Sequence, residues 1–464
     1  MNLSLTEIAR AVNGKLSGDD TGPINEVVID DRKVRPGDLF VCVAGERFDG
    51  HDFANQAERA GAAALLCSRE LPVDAPRILV EDTRTALLDL AGHYRRKCPP
   101  EAVIGVTGSV GKTTTKDMIA AVISQKHPTI ATVGNLNNEI GLPRMILSNR
   151  WQEHSDQGPF AAVLEMGMNH SGEISRLSRC AAPTIGLITN IGVSHIENLG
   201  SRSGILAAKL EMLDGMPDGA PLLLNGDNDM LSDVTESISN KRPIKFYGVT
   251  NKKSVCRASN IEQKGTSIFF NICYNNNVWP VEVPAAGMHN VYNALAAFLC
   301  GMEAGVAPEQ AIRGLRGYVP DAGRQNIRQS GGITIIDDCY NASPDSIKAA
   351  LAVLKDLPNS GRKIAVLGDM LELGDYSGRG HADCGRFLAE LKIDALFAYG
   401  EAAADYITGV GEAGKNVVET FHYTDKSALA DDLSGYIREG DAVLFKASRG
   451  MRLEEVVKCI MHNS

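Results

Sequence analysis

The apolar run Val103-Ile104-Gly105-Val106 passes directly into Thr107-Gly108-Ser109-Val110-Gly111-Lys112-Thr113, after which the chain reads as a helix. A strand, a glycine-rich turn and a helix in immediate succession leave few folds open. They belong to a parallel sheet with helices on its faces. Glycines let backbone N–H groups turn onto phosphate oxygens, and the helix N-terminus adds positive potential. Thr107, Gly108, Ser109, Val110 and Gly111 are therefore expected to form a phosphate cradle. Lys112 is expected to reach the β- and γ-phosphates, and the Thr113 hydroxyl to bind Mg²⁺. The strict G-x-x-x-x-G-K-[ST] pattern requires a glycine where this chain has Val106, so the loop is a variant. Alone it specifies a nucleoside triphosphate, which a kinase, an ATPase, a GTPase or a ligase could use.

The alternation of strands and helices predicts an α/β protein. With 464 residues and roughly 150 residues per domain, three domains are expected. Residues 1–82 read as a small α/β domain without a nucleotide motif. Ser4 and Glu7 have capping-box spacing before a helix over 6–12, Asp38 to Val43 reads as a strand, and His51 to Gly61 as an amphipathic helix. Residues 83–319 read as the central doubly wound, mostly parallel unit, with a helix over 85–97 and apolar strands at 161–165 and 184–189. Within it, residues 255–284 alternate like strands and suggest an antiparallel appendage. Residues 320–464 read as a second doubly wound, Rossmann-like unit with strands near 333–337, 364–367, 395–399 and 442–445. It lacks G-x-G-x-x-G, so a dinucleotide site is not expected.

Charge and composition exclude some functions. The net charge of −10 does not favour nucleic acid or anionic lipid as a partner. No signal peptide is visible at the start. The stretch free of charged residues between Glu282 and Glu303 carries Pro284, His289, Asn290 and Asn293, which fit a buried helix better than a membrane span. Ten cysteines without a C-x-x-C pair argue against a zinc cage and fit reduced thiols in a cytoplasm.

Two further side chains follow apolar strands. Glu165 closes Ala161-Ala162-Val163-Leu164, which places its carboxylate at the C-terminal edge of the sheet, where ligands bind in open α/β folds. His195 follows Thr189-Asn190-Ile191-Gly192-Val193-Ser194, and Lys209 lies on a helix predicted over 205–213.

Several segments resemble the Mur ligases, ATP-dependent amide ligases of cell-wall peptide synthesis, and the resemblance spans essentially the whole chain. The phosphate loop is similar to the family's T-G-x-x-G-K-[ST] variant. Arg32-Lys33-Val34-Arg35-Pro36-Gly37-Asp38 and Gly45-Glu46-Arg47-Phe48-Asp49-Gly50-His51 resemble its UDP-sugar-binding region, which implies substrate contacts at Asp31, Arg32 and Arg47. Asp31 stands where the family commonly has Ser or Thr. Gly134-Asn135-Leu136-Asn137-Asn138-Glu139-Ile140-Gly141 and Leu367-Gly368-Asp369-Met370-Leu371-Glu372-Leu373-Gly374 resemble the branch that adds D-alanyl-D-alanine. The first of these implies Asn135, Asn137 and Asn138 as substrate-binding amides.

The resemblance also implies roles around the nucleotide. Glu165 would bind Mg²⁺, His195 a second Mg²⁺, and Lys209 would be carbamylated so that it assists the metal. Asn293 would contact adenine and Arg324 the phosphates, while Asp338 and Asn341 would add the third domain's share of the ATP site. Lys446-Ala447-Ser448-Arg449 would lie near the incoming dipeptide or the acyl phosphate, with Lys446 or Arg449 able to pair with the dipeptide carboxylate.

The implied reaction consumes ATP to activate the terminal carboxylate of UDP-MurNAc-tripeptide as an acyl phosphate, which the amine of D-alanyl-D-alanine then attacks. The expected protein is a cytoplasmic monomer with no nucleic-acid or membrane partner. Rival readings are the tripeptide-forming ligase that adds a diamino acid, folylpolyglutamate synthase, and a non-catalytic nucleotide-dependent binding protein.

Overall fold

The computed structural model describes residues 1–45, 48–234, 242–321, 323–414 and 418–463. Its strands form three sheets, and the α/β class is as expected. In spatial order the first sheet runs Lys15–Ser17, Arg77–Leu79, Ala64–Cys67, Leu39–Val41, Val27–Val28, parallel except for the first strand. The helix Leu5–Ala11 beside it starts as predicted, with the Ser4 hydroxyl accepting the Glu7 N–H. Glu7 does not complete the capping box. Its carboxylate reaches out to His93 and Lys97 at 2.8 and 2.9 Å, tying this helix to the helix Thr83–Lys97. The helix expected over 51–61 splits into a 3₁₀ turn, Gly50–Phe53, and a short helix, Ala54–Arg59, because Asp49 holds both the backbone and the ring of His51.

The central sheet has nine strands, in the order Asn277–Val283, Ser267–Tyr274, Cys256–Lys264, Ile244–Gly248, Leu222–Asn225, Ile185–Ile188, Ala102–Thr107, Ala161–Glu165, Thr129–Ala131. The first three are antiparallel to one another, as their alternating pattern suggested. They are no separate body, because Cys256–Lys264 pairs parallel with Ile244–Gly248 and extends the same sheet. The charge-free stretch becomes the helix Met288–Glu303, buried along most of its length against this sheet. One core continues from Leu3 and Ile8 through Leu87 and Tyr94 to Leu142 and Trp151, so the helix Thr83–Lys97 serves the first sheet and the second at once.

The third sheet runs Asn326–Ser330, Ile333–Asp337, Ala442–Lys446, Lys363–Gly368, Ala395–Tyr399, Glu419–Tyr423, parallel apart from the first strand. The two edge strands, Asn326–Ser330 and Glu419–Tyr423, did not stand out in the sequence because neither contains a fully buried residue. Edge strands need no continuous apolar run.

Strand Ala102–Thr107 lies between Ile185–Ile188 and Ala161–Glu165, and the strand order reverses around it. A crevice opens at such a point beyond the C-terminal strand ends. The C-terminal edge of the third sheet faces it, and a cavity of about 730 Å³ between them is lined from both sides. No helix among the described residues is long and apolar enough to cross a membrane.

Candidate active site

The phosphate loop owes its shape to two glycines. Gly108 has φ +154°, and a Cβ there would lie 1.8 Å from the Thr189 hydroxyl. Gly111 has φ +79°, a region L side chains rarely adopt, and precedes the helix Lys112–Ile123 without capping its N–H groups. Val106, where the strict motif wants glycine, is still inside the strand. It is fully buried and stands in register with Glu165, so nothing there requires φ above zero.

The loop is braced by a neighbour that the sequence reading passed over. The Asn190 carbonyl accepts the Ser109 N–H, and its side-chain amide exchanges hydrogen bonds of 3.0 and 3.1 Å with the Val110 backbone. The Thr189 hydroxyl donates to the Val110 carbonyl at 2.7 Å, while the Thr107 hydroxyl donates to the Met166 carbonyl at 2.8 Å. Ser109 and Val110 thus spend their N–H groups on structure. The uncapped first turn of the helix supplies the donors for an anion instead. Lys112 curls over the loop, with Nζ 2.8 Å from the Gly108 carbonyl. Burial lowers its pKa; nearby Glu165 opposes that shift, whereas Arg324 adds to it.

Glu165 is the junction of the central half of the site. Its Oε2 accepts the Thr113 hydroxyl at 2.7 Å, and its Oε1 accepts the Asn137 amide at 2.8 Å. Thr132, another residue the sequence did not single out, receives the Glu165 N–H. One buried carboxylate therefore connects the phosphate loop to the Asn-rich loop. Within that loop Asn138 accepts the Ile140 and Gly141 N–H groups where the chain enters the helix Gly141–Ile146, and Asn135 stands exposed at the cavity wall.

Lys209 sits on the helix Arg202–Leu210, one turn earlier than predicted, and is 2% exposed. No carboxylate among the described residues is within ion-pairing distance of it. Burial, reinforced by repulsion from Lys112, holds its pKa well below the ordinary lysine range. A neutral amine is the form that can react with carbon dioxide, so the environment suits carbamylation. His195 lines the same cavity, with φ +63° and Nδ1 2.7 Å from Glu372 Oε2 of the third unit.

The opposite wall differs more from expectation. Asn293 lines the cavity, but its amide is already engaged: Oδ1 accepts the Thr115 hydroxyl at 3.0 Å and Nδ2 donates to Asn290 Oδ1 at 3.0 Å. Asn290 Nδ2 then donates to Gln325 Oε1, and the Gln325 N–H donates to Asp338 Oδ1, both at 3.1 Å. Asp338 Oδ2 receives the Lys446 ammonium at 2.6 Å. A continuous polar chain thus joins the helix after the phosphate loop to the third sheet. It also corrects the expectation for Lys446, which is 3% exposed and spent on Asp338 and the Asn341 carbonyl, not offered to a carboxylate ligand. Asn341 lines the cavity beside them, its side chain bonded to the Ala342 N–H. Ser448 is likewise committed, accepting the Leu371 N–H at 2.9 Å.

Arg324 and Arg449 remain at the cavity, and both guanidinium groups lie over Tyr340, at 3.8 and 5.5 Å from the ring centre. Cation–ring attraction holds them without neutralising their charge. Neither Asp31 nor Arg32 reaches this cavity; Arg32 forms a two-point pair with Asp30 at 2.8 and 2.9 Å. Arg47 lies outside the described residues.

Among the described residues no group of three or more His, Cys, Asp and Glu side chains could hold a metal ion. Magnesium, however, keeps several waters and takes one or two carboxylates plus phosphate oxygens. Glu165 and Thr113 beside an open helix N-terminus fit such a shared site, and His195 is a less natural partner for so hard an ion.

Comparison with known proteins agrees with this arrangement. The Mur ligase middle domain matches residues 106–301, the Mur ligase glutamate ligase domain residues 323–449, and the Mur ligase family catalytic domain residues 23–95. The chain is 41% identical to UDP-N-acetylmuramoyl-tripeptide–D-alanyl-D-alanine ligase of Bacillus subtilis (strain 168), over 99% of this chain and 98% of that protein. A crystal structure of MurF from Acinetobacter baumannii, 32% identical, superposes with a TM-score of 0.91 and covers 99% of each chain. MurF from Thermotoga maritima in complex with ADP, 30% identical, gives a TM-score of 0.84 over 95% of this chain and 97% of that one. With all three segments matched and 41% identity over 99% of its length, the chain belongs to the Mur ligase family.

Proposed function

We propose that this chain joins D-alanyl-D-alanine to UDP-MurNAc-tripeptide at the expense of ATP, making UDP-MurNAc-pentapeptide for peptidoglycan. The observation that carries this reading is Glu165, whose two oxygens hold the phosphate loop through Thr113 and the Asn-rich loop through Asn137. Nucleotide and peptide substrate are thereby registered against one carboxylate.

A carboxylate must attack the γ-phosphate, and two anions have to approach each other. Mg²⁺ held by Glu165, Thr113 and the nucleotide would neutralise that repulsion. Lys112 and the first turn of its helix bind the β- and γ-phosphates, and Arg324 faces them from the third unit. The tripeptide carboxylate takes the γ-phosphoryl group and ADP leaves. The dipeptide amine then attacks the acyl carbon, loses a proton and expels phosphate. Arg449, exposed at the cavity, pairs with the dipeptide carboxylate. Lys209, as a carbamate, and His195 would complete the residues that hold the metal. Residues 1–82 bind the UDP-sugar through Arg32 and Arg47, residues 83–319 bind ATP, and residues 320–464 bring the dipeptide. Asp31 serves the same region only through its backbone, because a carboxylate repels diphosphate. The enzyme acts as a cytoplasmic monomer, with neither nucleic acid nor membrane as partner.

Phosphate release measured with a panel of acceptors tests this. Turnover should require UDP-MurNAc-tripeptide and D-alanyl-D-alanine together. Turnover with UDP-MurNAc-dipeptide and a diamino acid would replace this reading with the tripeptide-forming one.

A further inference from the structure

The segment Leu367 to Gly374 has no task in the chemistry above, yet it is held with unusual firmness. The Asp369 N–H donates to the Tyr399 carbonyl at 3.1 Å, the Met370 N–H to His381 Nε2 at 2.9 Å, and the Leu371 N–H to Ser448 Oγ at 2.9 Å. His381 is completely buried, and its Nδ1 lies 2.8 Å from the Ser377 carbonyl. The Asp369 carboxylate in turn accepts the Ala403 N–H at 2.7 Å. Met370 and Leu373 are buried on either side of the tip. Glu372 is the residue this turn presents, with φ +63°. A non-glycine residue keeps that conformation only where its surroundings over-determine it.

Glu372 crosses from the third unit to His195 of the central unit, which also has φ +63°. The His195 Nδ1 atom is buried and has no directed hydrogen-bond partner among the described residues, and Glu372 Oε2 lies 2.7 Å from it, off the direction of a bond. No other carboxylate among the described residues lies within ion-pairing distance of this ring. The units meet closely around this point. A Cβ on Gly374 would lie 3.1 Å from Glu197 Cγ, and one on Gly192 would lie 2.0 Å from Asp345 Oδ2.

We propose that Glu372 is a positioning residue for the ligase reaction: on docking of the third unit its carboxylate accepts the Nδ1–H of His195 and turns Nε2 toward the cavity. This rests on the role given to His195 above. A histidine whose second nitrogen does chemistry is commonly oriented by a carboxylate on the first. Here the two halves come from different units, so the site is complete only when the units are docked. The Gly-Asp-Met-Leu-Glu-Leu-Gly run is then the rigid arm that delivers the carboxylate.

The test combines kinetics of Glu372→Ala, His195→Gln and the double variant with ¹⁵N-histidine NMR of the full-length protein, the His195 signal being assigned by its loss in His195→Gln. The expected kcat loss for Glu372→Ala is ~10–100-fold, with KM for D-alanyl-D-alanine unchanged within about twofold and no further loss in the double variant. The His195 ring should be held as the Nδ1–H tautomer with a bound ATP analogue and lose that preference in Glu372→Ala. Glu372→Gln, which keeps an acceptor, should recover part of both effects. Full activity in Glu372→Ala, additive losses in the double variant, or an unchanged tautomer would each overturn the proposal. Full activity in His195→Gln would instead remove the role of His195 on which it rests.

Discussion

Thr113 Oγ1 donates a 2.7 Å hydrogen bond to Glu165 Oε2, while Val106, seven positions before Thr113 and still in the strand, stands opposite Glu165 in parallel register. The phosphate loop and the acidic strand end are thus joined by the sheet and again by the side chains. Glu165→Gln keeps the size of the side chain and removes its charge. It is expected to lower kcat about a hundredfold, the scale of displaced catalytic geometry, with little change in melting temperature. Phosphate release with saturating substrates measures this, and undiminished turnover would sink the role of Glu165.

Lys209 is buried with no carboxylate within ion-pairing distance among the described residues, and its depressed pKa means that the unfolded chain binds the extra proton first. Unmodified protein therefore loses stability as pH falls through the ordinary lysine range toward the folded value. Lys209→Met is expected to melt higher than the wild type in carbon-dioxide-free buffer at neutral pH, while losing turnover. Short-chain carboxylates are expected to restore part of the activity of Lys209→Ala. Mass spectrometry of fully active wild type showing only unmodified Lys209 would refute the carbamate.

Asn293 offers a direct contest between a structural and a nucleotide role. Removing its amide strands the Thr115 hydroxyl and the Asn290 side-chain Oδ1 in a buried setting, which costs about 1–3 kcal/mol for each group left unpaired. Asn293→Ala should therefore lower stability to urea and raise KM for ATP together. A rise in KM with unchanged stability would mean that the amide serves the nucleotide alone.

Within the third unit, Asp441 accepts the Arg362 N–H at 2.8 Å, its guanidinium at 2.7 Å and the Arg438 N–H at 2.9 Å. Burial works against its ionisation, but the hydrogen bonds from Arg362 and Arg438 outweigh it and hold the pKa below the usual carboxylate range. A depressed carboxylate pKa adds stability that is present above the unfolded value, near 4, and disappears as pH falls through the folded one. Asp441→Asn is expected to cost about 2 kcal/mol at pH 7. Urea titrations at successively lower pH should show this difference shrinking below about pH 4; a difference independent of pH would rule out the charge as its source.

Much of the fold was legible because its signals are local. Apolar runs such as Ala161 to Glu165 mark strands buried on both faces, and Gly108 and Gly111 mark a turn only glycine can make. The edge strands Asn326–Ser330 and Glu419–Tyr423 gave no such run, since solvent covers part of each. The capping pair Ser4 and Glu7 was half right, because Glu7 found stronger partners in His93 and Lys97 across the fold.

The amino-acid sequence by itself determined which residue types stand at the ends of the strands: the Gly-Lys-Thr turn, Glu165, His195, and the Asn-rich loop. Those depend on neighbours in the chain. Only the tertiary structure decided what each polar atom is bonded to. It committed Lys446 to Asp338, closed the amide chain from Thr115 through Gln325, stacked Arg324 and Arg449 on Tyr340, and set Glu372 against His195. Hydrogen bonds and ion pairs act over about 3 Å, so partners far apart in sequence meet only when the sheets have packed.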